Sequence, residues 1–162
     1  MEHQNIVWKN DLVTGIKLID SQHREFIGLV NKILDTSLNS DDEQLIKKSF
    51  SFLKYYISEH FSVEEAAMAE YKYPHYAMHK NIHTCFREEF ERLESFLKNK
   101  VHPHDVLIKL NYLVVNWFMN HIKIDDKKLC NYLLAQSEER NESLVGKLDR
   151  IVAMFFKSKE VE

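Results

Sequence analysis

Only three glycines and two prolines punctuate these 162 residues. That is about 3% of the chain, against roughly 12% in average usage. Sandwiches, barrels and doubly wound sheets need a tight turn at the end of nearly every strand, and glycine and proline are the residues that make such turns. A chain this poor in both is expected to be all-α, built from a few long helices joined by short loops.

The apolar periodicity locates those helices. Residues 1–17 read as an irregular arm, with Trp8, Leu12 and Ile16 lying over another part of the fold. A first helix fits about 18–38, where Ile19, Phe26, Ile27, Val30, Ile33 and Leu34 recur at helical spacing. Asn39, Ser40 and Asp41 break the pattern and offer a cap for a second helix over about 41–71. Its face carries Leu45, Phe50, Leu53, Ile57, Ala67, Met68 and Tyr71. Pro74 marks a turn into a third helix over about 75–99, with Phe86, Phe90, Leu93 and Leu97 in register. A loop containing Pro103 leads to a fourth helix that begins near His104 and runs toward Leu134. Four helices with short connections predict an up-down-up-down four-helix bundle with an N-terminal arm. The tail, 137–157, has its own stripe of Leu144, Leu148, Ile151, Val152 and Phe155, with Ser137 as its cap and Glu138 and Glu139 in its first turn. This extra C-terminal helix either packs back on the bundle or forms a homo-oligomer or protein-partner interface. The chain thus divides into a bundle, 1–136, and a helical extension of the same domain, 137–162.

Composition excludes several classes. The net charge of −3 leaves no basic footprint for nucleic acid. No apolar run approaches the ~18 residues of a membrane span, and the first ten residues lack the apolar core of a secretion signal. Cys85 and Cys130 form no CxxC pair and read as buried free thiols of a cytoplasmic protein.

Histidine is the chemically informative residue, with nine copies. Five of them, His23, His60, His79, His83 and His121, fall on the apolar stripes of all four helices, and so does Glu64. An isolated buried histidine is ordinary core. Five unpaired imidazoles and a carboxylate would each cost on the order of several kcal/mol. A metal centre on the bundle axis satisfies them together. His60 and Glu64 are one helical turn apart, as are His79 and His83, so each pair leaves one face of its helix. Imidazoles with carboxylates suit iron better than magnesium or calcium, and the lack of a thiolate disfavours an iron–sulfur or structural zinc site, while the ligand types leave manganese, zinc or a mixed pair open. The remaining His3, His75, His102 and His104 lie in termini, loops or helix starts and read as surface.

The strings WKNDLVTGIKLIDSQH, HFSVEE, YPHYAMHKNIH and WFMNHIKIDD resemble the bacterial hemerythrins. The resemblance spans about residues 6–134, and its pattern is one histidine on the first helix, HxxxE on the second, HxxxH on the third and HxxxxD on the fourth. It implies two non-haem iron ions joined by an oxo or hydroxo bridge. One iron takes His79, His83 and His121, the other takes His23 and His60, and Glu64 and Asp126 bridge both. The second iron is one ligand short, and the resemblance implies that dioxygen binds there reversibly, for storage, delivery or sensing. It also implies Phe26, Phe61, Trp117 and Phe118 as walls of the oxygen pocket, with Phe118 standing where relatives often have leucine.

On a regular helix His121 and Asp126 lie about 140° apart, and periodicity alone favours Asp125. The family motif favours Asp126, which predicts a π-bulge between His121 and Asp126. This ligand set reads as a binding module and not an enzyme. The competing readings are a di-iron peroxidase or nitric oxide-reactive enzyme and an oxygen or redox signalling module. The ExxH motifs of ferritin-like oxidases are missing from the ligand faces.

Overall fold

The computed structural model describes residues 5–38, 43–99, 102–140 and 143–156. Among the described residues a short 3₁₀ turn, Asn10–Leu12, precedes five helices. These are α1 (Lys17–Leu38), α2 (Glu43–Glu70), α3 (Tyr76–Lys98), α4 (103–139) and α5 (Leu144–Phe156). No helix among the described residues is long and apolar enough to cross a membrane. The contacts α1 to α2, α2 to α3, α3 to α4 and α4 back to α1 close a four-membered ring.

The core falls into two apolar clusters, and the order in which each helix visits them gives the topology. α1 contributes Ile19 to one cluster and then Phe26, Val30 and Leu34 to the other. α2 runs the opposite way, from Phe50, Leu53 and Ile57 to Val63, Ala67 and Met68. α3 returns, and α4 descends from Leu110 and Val114 to Leu129 and Leu133. The bundle is therefore up-down-up-down, as the short loops predict. On each of α1 to α4 the histidines of the apolar stripe lie at the boundary between the clusters.

The remaining expectations divide. α5 buries Leu144, Leu148 and Ile151 against Val63, Ala67, Met68, Leu129 and Leu133, so the tail's stripe is covered by this chain's own α2 and α4. Ser137 does not cap it. α4 continues through Glu139, and the Ser137 hydroxyl donates to the Leu134 carbonyl at 2.8 Å. The cap is Ser143, whose Oγ accepts the Gly146 N–H at 3.3 Å. On α2, Leu45 is exposed and Ile46 takes the core position, a phase offset of one residue at the helix start. Cys130 is buried but Cys85 is exposed, because it lies on the outer face of α3. The proposed cap at Asn39, Ser40 and Asp41 lies outside the described residues, as do His3 and the side chains of His104 and Phe155.

The arm lies across α1. Asn31 clamps it with both amide atoms, Oδ1 accepting the Ile6 N–H at 2.9 Å and Nδ2 donating to the Ile6 carbonyl at 2.8 Å. Leu12 is fully buried, and Trp8 sits between His23, at 6.3 Å between ring centroids, and the Arg24 guanidinium. Gly15, at φ +92°, makes the bend into α1.

α2 ends in a Schellman motif without glycine. The Tyr73 N–H donates to the Met68 carbonyl at 2.8 Å and the Lys72 N–H to the Ala69 carbonyl at 3.2 Å. Lys72 holds the left-handed position at φ 53°, which costs a residue with a Cβ about 1 kcal/mol. Lys72→Gly is expected to raise stability by up to about 1 kcal/mol, read as a higher denaturant midpoint at an unchanged slope.

Candidate metal centre

The seven residues singled out in the sequence meet at the boundary between the two clusters, and all seven are buried. They form two overlapping donor groups. Glu64, His79, His83, His121 and Asp126 make one, and His23, His60, Glu64 and Asp126 make the other; within each, the donor atoms lie within 4.8 Å of one another. The two carboxylates belong to both. Asp126 Oδ1 is 3.0 Å from His121 Nε2 and 3.3 Å from His79 Nε2, while its Oδ2 is 3.1 Å from His23 Nε2. Glu64 Oε2 is 3.2 Å from His83 Nε2 and 3.7 Å from His79 Nε2, and its Oε1 is 3.7 Å from His60 Nε2. Each carboxylate thus turns one oxygen to each group.

Asp126 reaches the centre because α4 is not a regular helix. Two stretches are π-helical, Val114–Phe118 and Ile122–Asp126, separated by Met119–His121. In the second, the Lys127 N–H bonds back to the Ile122 carbonyl, five residues earlier. The widened turn brings Asp126 under His121, as the i, i+5 spacing predicts. The first π stretch, just before Met119, has no counterpart in the sequence reading. It lies where Trp117 and Phe118 meet the imidazoles.

The atoms fit a cation. Both oxygens of Glu64, both oxygens of Asp126 and Nε2 of His79 lack a hydrogen-bond partner among the described residues. Buried polar atoms rarely stay unpaired, and ion coordination satisfies all five. The charges agree. Burial and Asp126 push Glu64 up, but His60, His79 and His83 together hold it below its ordinary value. Burial likewise opposes ionisation of Asp126, and His121, His23 and His79 outweigh it. Two carboxylates in a dry core call for compensating positive charge. His79 and His121 supply it as protons: burial lowers each, yet the carboxylates raise them to about 9 and about 10. Burial dominates at His60 and lowers it to about 4, leaving a neutral imidazole suited to coordination.

A bound cation replaces those protons. An imidazole raised in the folded state contributes stability below its ordinary 6.5 and loses it as pH rises through the folded value. The metal-free chain is therefore expected to lose stability as pH rises from about 6.5 to about 10, whereas the loaded chain, its imidazoles already deprotonated, is not. Denaturant midpoints of both forms across that range check this.

Outer partners hold three of the imidazoles by Nδ1. Gln22 Oε1 accepts from His60 at 3.0 Å, Glu65 Oε1 from His83 at 3.1 Å and Asp125 Oδ2 from His121 at 3.3 Å. Glu65 also accepts from Arg87 at 3.0 Å, and its carboxyl is lowered despite partial burial. Sequence reading missed Gln22 and Glu65 and weighed Asp125 only as a rival to Asp126. The available signal was adjacency: each of the three directly neighbours a residue of the donor set, in SQH, VEE and IDD.

The four aromatic wall residues divide between the groups. Phe118 sets its ring edge-on to His23 at 5.8 Å and His60 at 6.5 Å, and Phe26 backs it at 4.2 Å. Phe61 stacks on His83 at 3.9 Å with 6° between planes, and lies 5.8 Å from His60. Trp117 stacks on His121 at 4.7 Å, on the three-histidine side. His75 and His102 are exposed.

The family model of the hemerythrin HHE cation binding domain matches residues 14–133. Bacteriohemerythrin of Stenotrophomonas maltophilia (strain R551-3) is 29% identical over 153 residues, covering 93% of this chain and 97% of that protein. Bacteriohemerythrin of Aquifex aeolicus (strain VF5) is 30% identical over 108 residues, 67% of this chain and 82% of that one. A crystal structure of a hemerythrin leucine-to-alanine mutant superposes with a TM-score of 0.68 at 25% identity, covering 78% of this chain and 95% of the other.

Proposed function

The chain belongs to the hemerythrin family, and from that premise we propose that it binds dioxygen reversibly at a non-haem di-iron centre. One observation carries the reading: two donor groups share Glu64 and Asp126 but own three and two histidines respectively. His79, His83 and His121 would hold one iron and His23 and His60 the other, with Glu64 and Asp126 each turning one oxygen to each group. Two shared carboxylates and three imidazoles leave little room at the first ion. The group with two imidazoles offers one protein donor fewer, which would leave its ion able to accept the gas. Iron held by these residues would supply reversible two-electron chemistry toward dioxygen.

The protein's own part is to orient and exclude. Gln22 fixes the His60 ring, so that Nε2 faces the centre. Phe118, Phe26 and Phe61, all buried, surround the two-histidine side and keep water from it. Charged products leave poorly through such a dry wall, which favours carriage over turnover. The donor set of five imidazoles and two carboxylates supports iron over harder cations. The free thiols of Cys85 and Cys130 fit a reducing cytoplasm.

The test starts from reduced protein prepared anaerobically. Its iron is counted, dioxygen is admitted and removed, and the visible spectrum is followed through several cycles. A band that returns with each addition supports carriage. Irreversible conversion to the diferric form with hydrogen peroxide released points to an oxidase instead.

A further inference from the structure

The outer partners are distributed unequally between the two donor groups. On the three-histidine side both outer partners are carboxylates, Asp125 on His121 and Glu65 on His83. On the two-histidine side neither position carries a charge. His60 donates to the neutral amide of Gln22, and Nδ1 of His23 has no hydrogen-bond partner among the described residues. The seven inner residues do not encode this difference, because their two carboxylates are shared equally.

An imidazole whose Nδ1–H points at a carboxylate is a more basic ligand through Nε2 than one whose proton points at an amide or at nothing. A more basic ligand stabilises the higher oxidation state of the metal it holds. We infer that Asp125 and Glu65, set against Gln22 and a bare His23, split the two irons in reduction potential, with the three-histidine iron oxidised first and reduced last. This rests on the di-iron reading above. Each step is a one-electron change at one iron, from ferric to ferrous, with the electron supplied by an added reductant.

The two carboxylates do not contribute alike. Glu65 divides its charge between His83 and the Arg87 guanidinium at 3.0 Å, which damps its effect. Asp125 has no lysine or arginine within ion-pair distance among the described residues, so His121 receives its charge undivided. Asp125 is the stronger of the two positioning residues. The consequence for function is that the open position keeps a ferrous ion through a one-electron oxidation of the pair. In the di-iron reading the two-histidine iron would take dioxygen, and the outer charges would direct the first electron loss away from it.

Reductive titration with dithionite, followed by electron paramagnetic resonance of the half-reduced state, tests the inference on intact protein. The unchanged chain is expected to show two separated one-electron steps. Asp125→Asn keeps an oxygen for the His121 proton but removes the charge. It should raise only the lower-potential step, by at least about tenfold in the reduction equilibrium, or about 59 mV for one electron. Glu65→Gln should move the same step by less. Gln22→Glu adds a charge on the other side and should lower only the higher-potential step. Each variant narrows the gap, so the half-reduced signal falls in all three. Two irons per chain with both steps unmoved, or with Asp125→Asn and Gln22→Glu moving the same step, overturn the inference and leave the di-iron reading standing. An unchanged chain that takes up fewer than two irons overturns that reading itself.

Discussion

Replacing Glu64 by alanine is expected to empty both halves of the centre, not one. Glu64 offers Oε2 to His79 and His83 and Oε1 to His60, so its loss removes a donor from each group. Loss of an outer partner alone typically weakens metal binding 10- to 100-fold. Loss of a shared inner carboxylate should exceed that, by more than about 100-fold at both positions. It also leaves Asp126 as the sole buried negative charge for two cations. Iron content after reconstitution should fall from about two per chain to well below one, with the visible bands lost together. His60→Ala is the contrast, because it strips a donor from the two-histidine group alone and should spare the other ion. Helical content by circular dichroism should survive in both variants, since the two apolar clusters remain. Equal iron in Glu64→Ala and the unchanged chain would remove the bridging role.

The second large effect separates neighbours. Asp126→Ala should behave like Glu64→Ala, with both ions lost. Asp125→Ala should still load two irons at saturating metal, with affinity lower by about 10- to 100-fold. The order depends entirely on the π turn. Were 122–126 regular α-helix, Asp125 would lie beneath His121 and Asp126 would point about 140° away. With the turn widened, Asp126 lies 3.0 Å from His121 Nε2, and Asp125 meets the outer nitrogen at 3.3 Å. Metal affinity measured by competition with a chelator distinguishes the two. The reverse order would place Asp125 on the metal.

The helices and the five inward histidines were legible because burial imposes a period on the chain. His60 with Glu64 and His79 with His83 obey it, and each pair can be read from spacing alone. Asp126 violates it. Only the family motif selected it over Asp125, and the bulge followed from that choice. The first π stretch, Val114–Phe118, left no such mark, since an apolar run reads alike in either helix type. Gln22 and Glu65 act between helices, and the distance from Gln22 to His60 depends on how α1 sits against α2, which no period within either helix encodes. Lys72 escaped notice for a related reason. Its left-handed conformation is imposed by the two Schellman hydrogen bonds, while the usual signal, a glycine, is missing. The tail stripe was visible from Leu144 to Phe155, but its partner surface on α2 and α4 was visible only once the bundle was assembled.

The chain contains two tryptophans. Trp8 lies against His23 and Trp117 stacks on His121, so each indole adjoins a different half of the centre. Iron quenches a fluorophore at such range. The emission of Trp8 and Trp117, separated by Trp8→Phe and Trp117→Phe, would report the filling of each half independently. The molecule thereby carries its own two-channel optical gauge of metal loading, one that can follow the order in which the ions enter without any added dye.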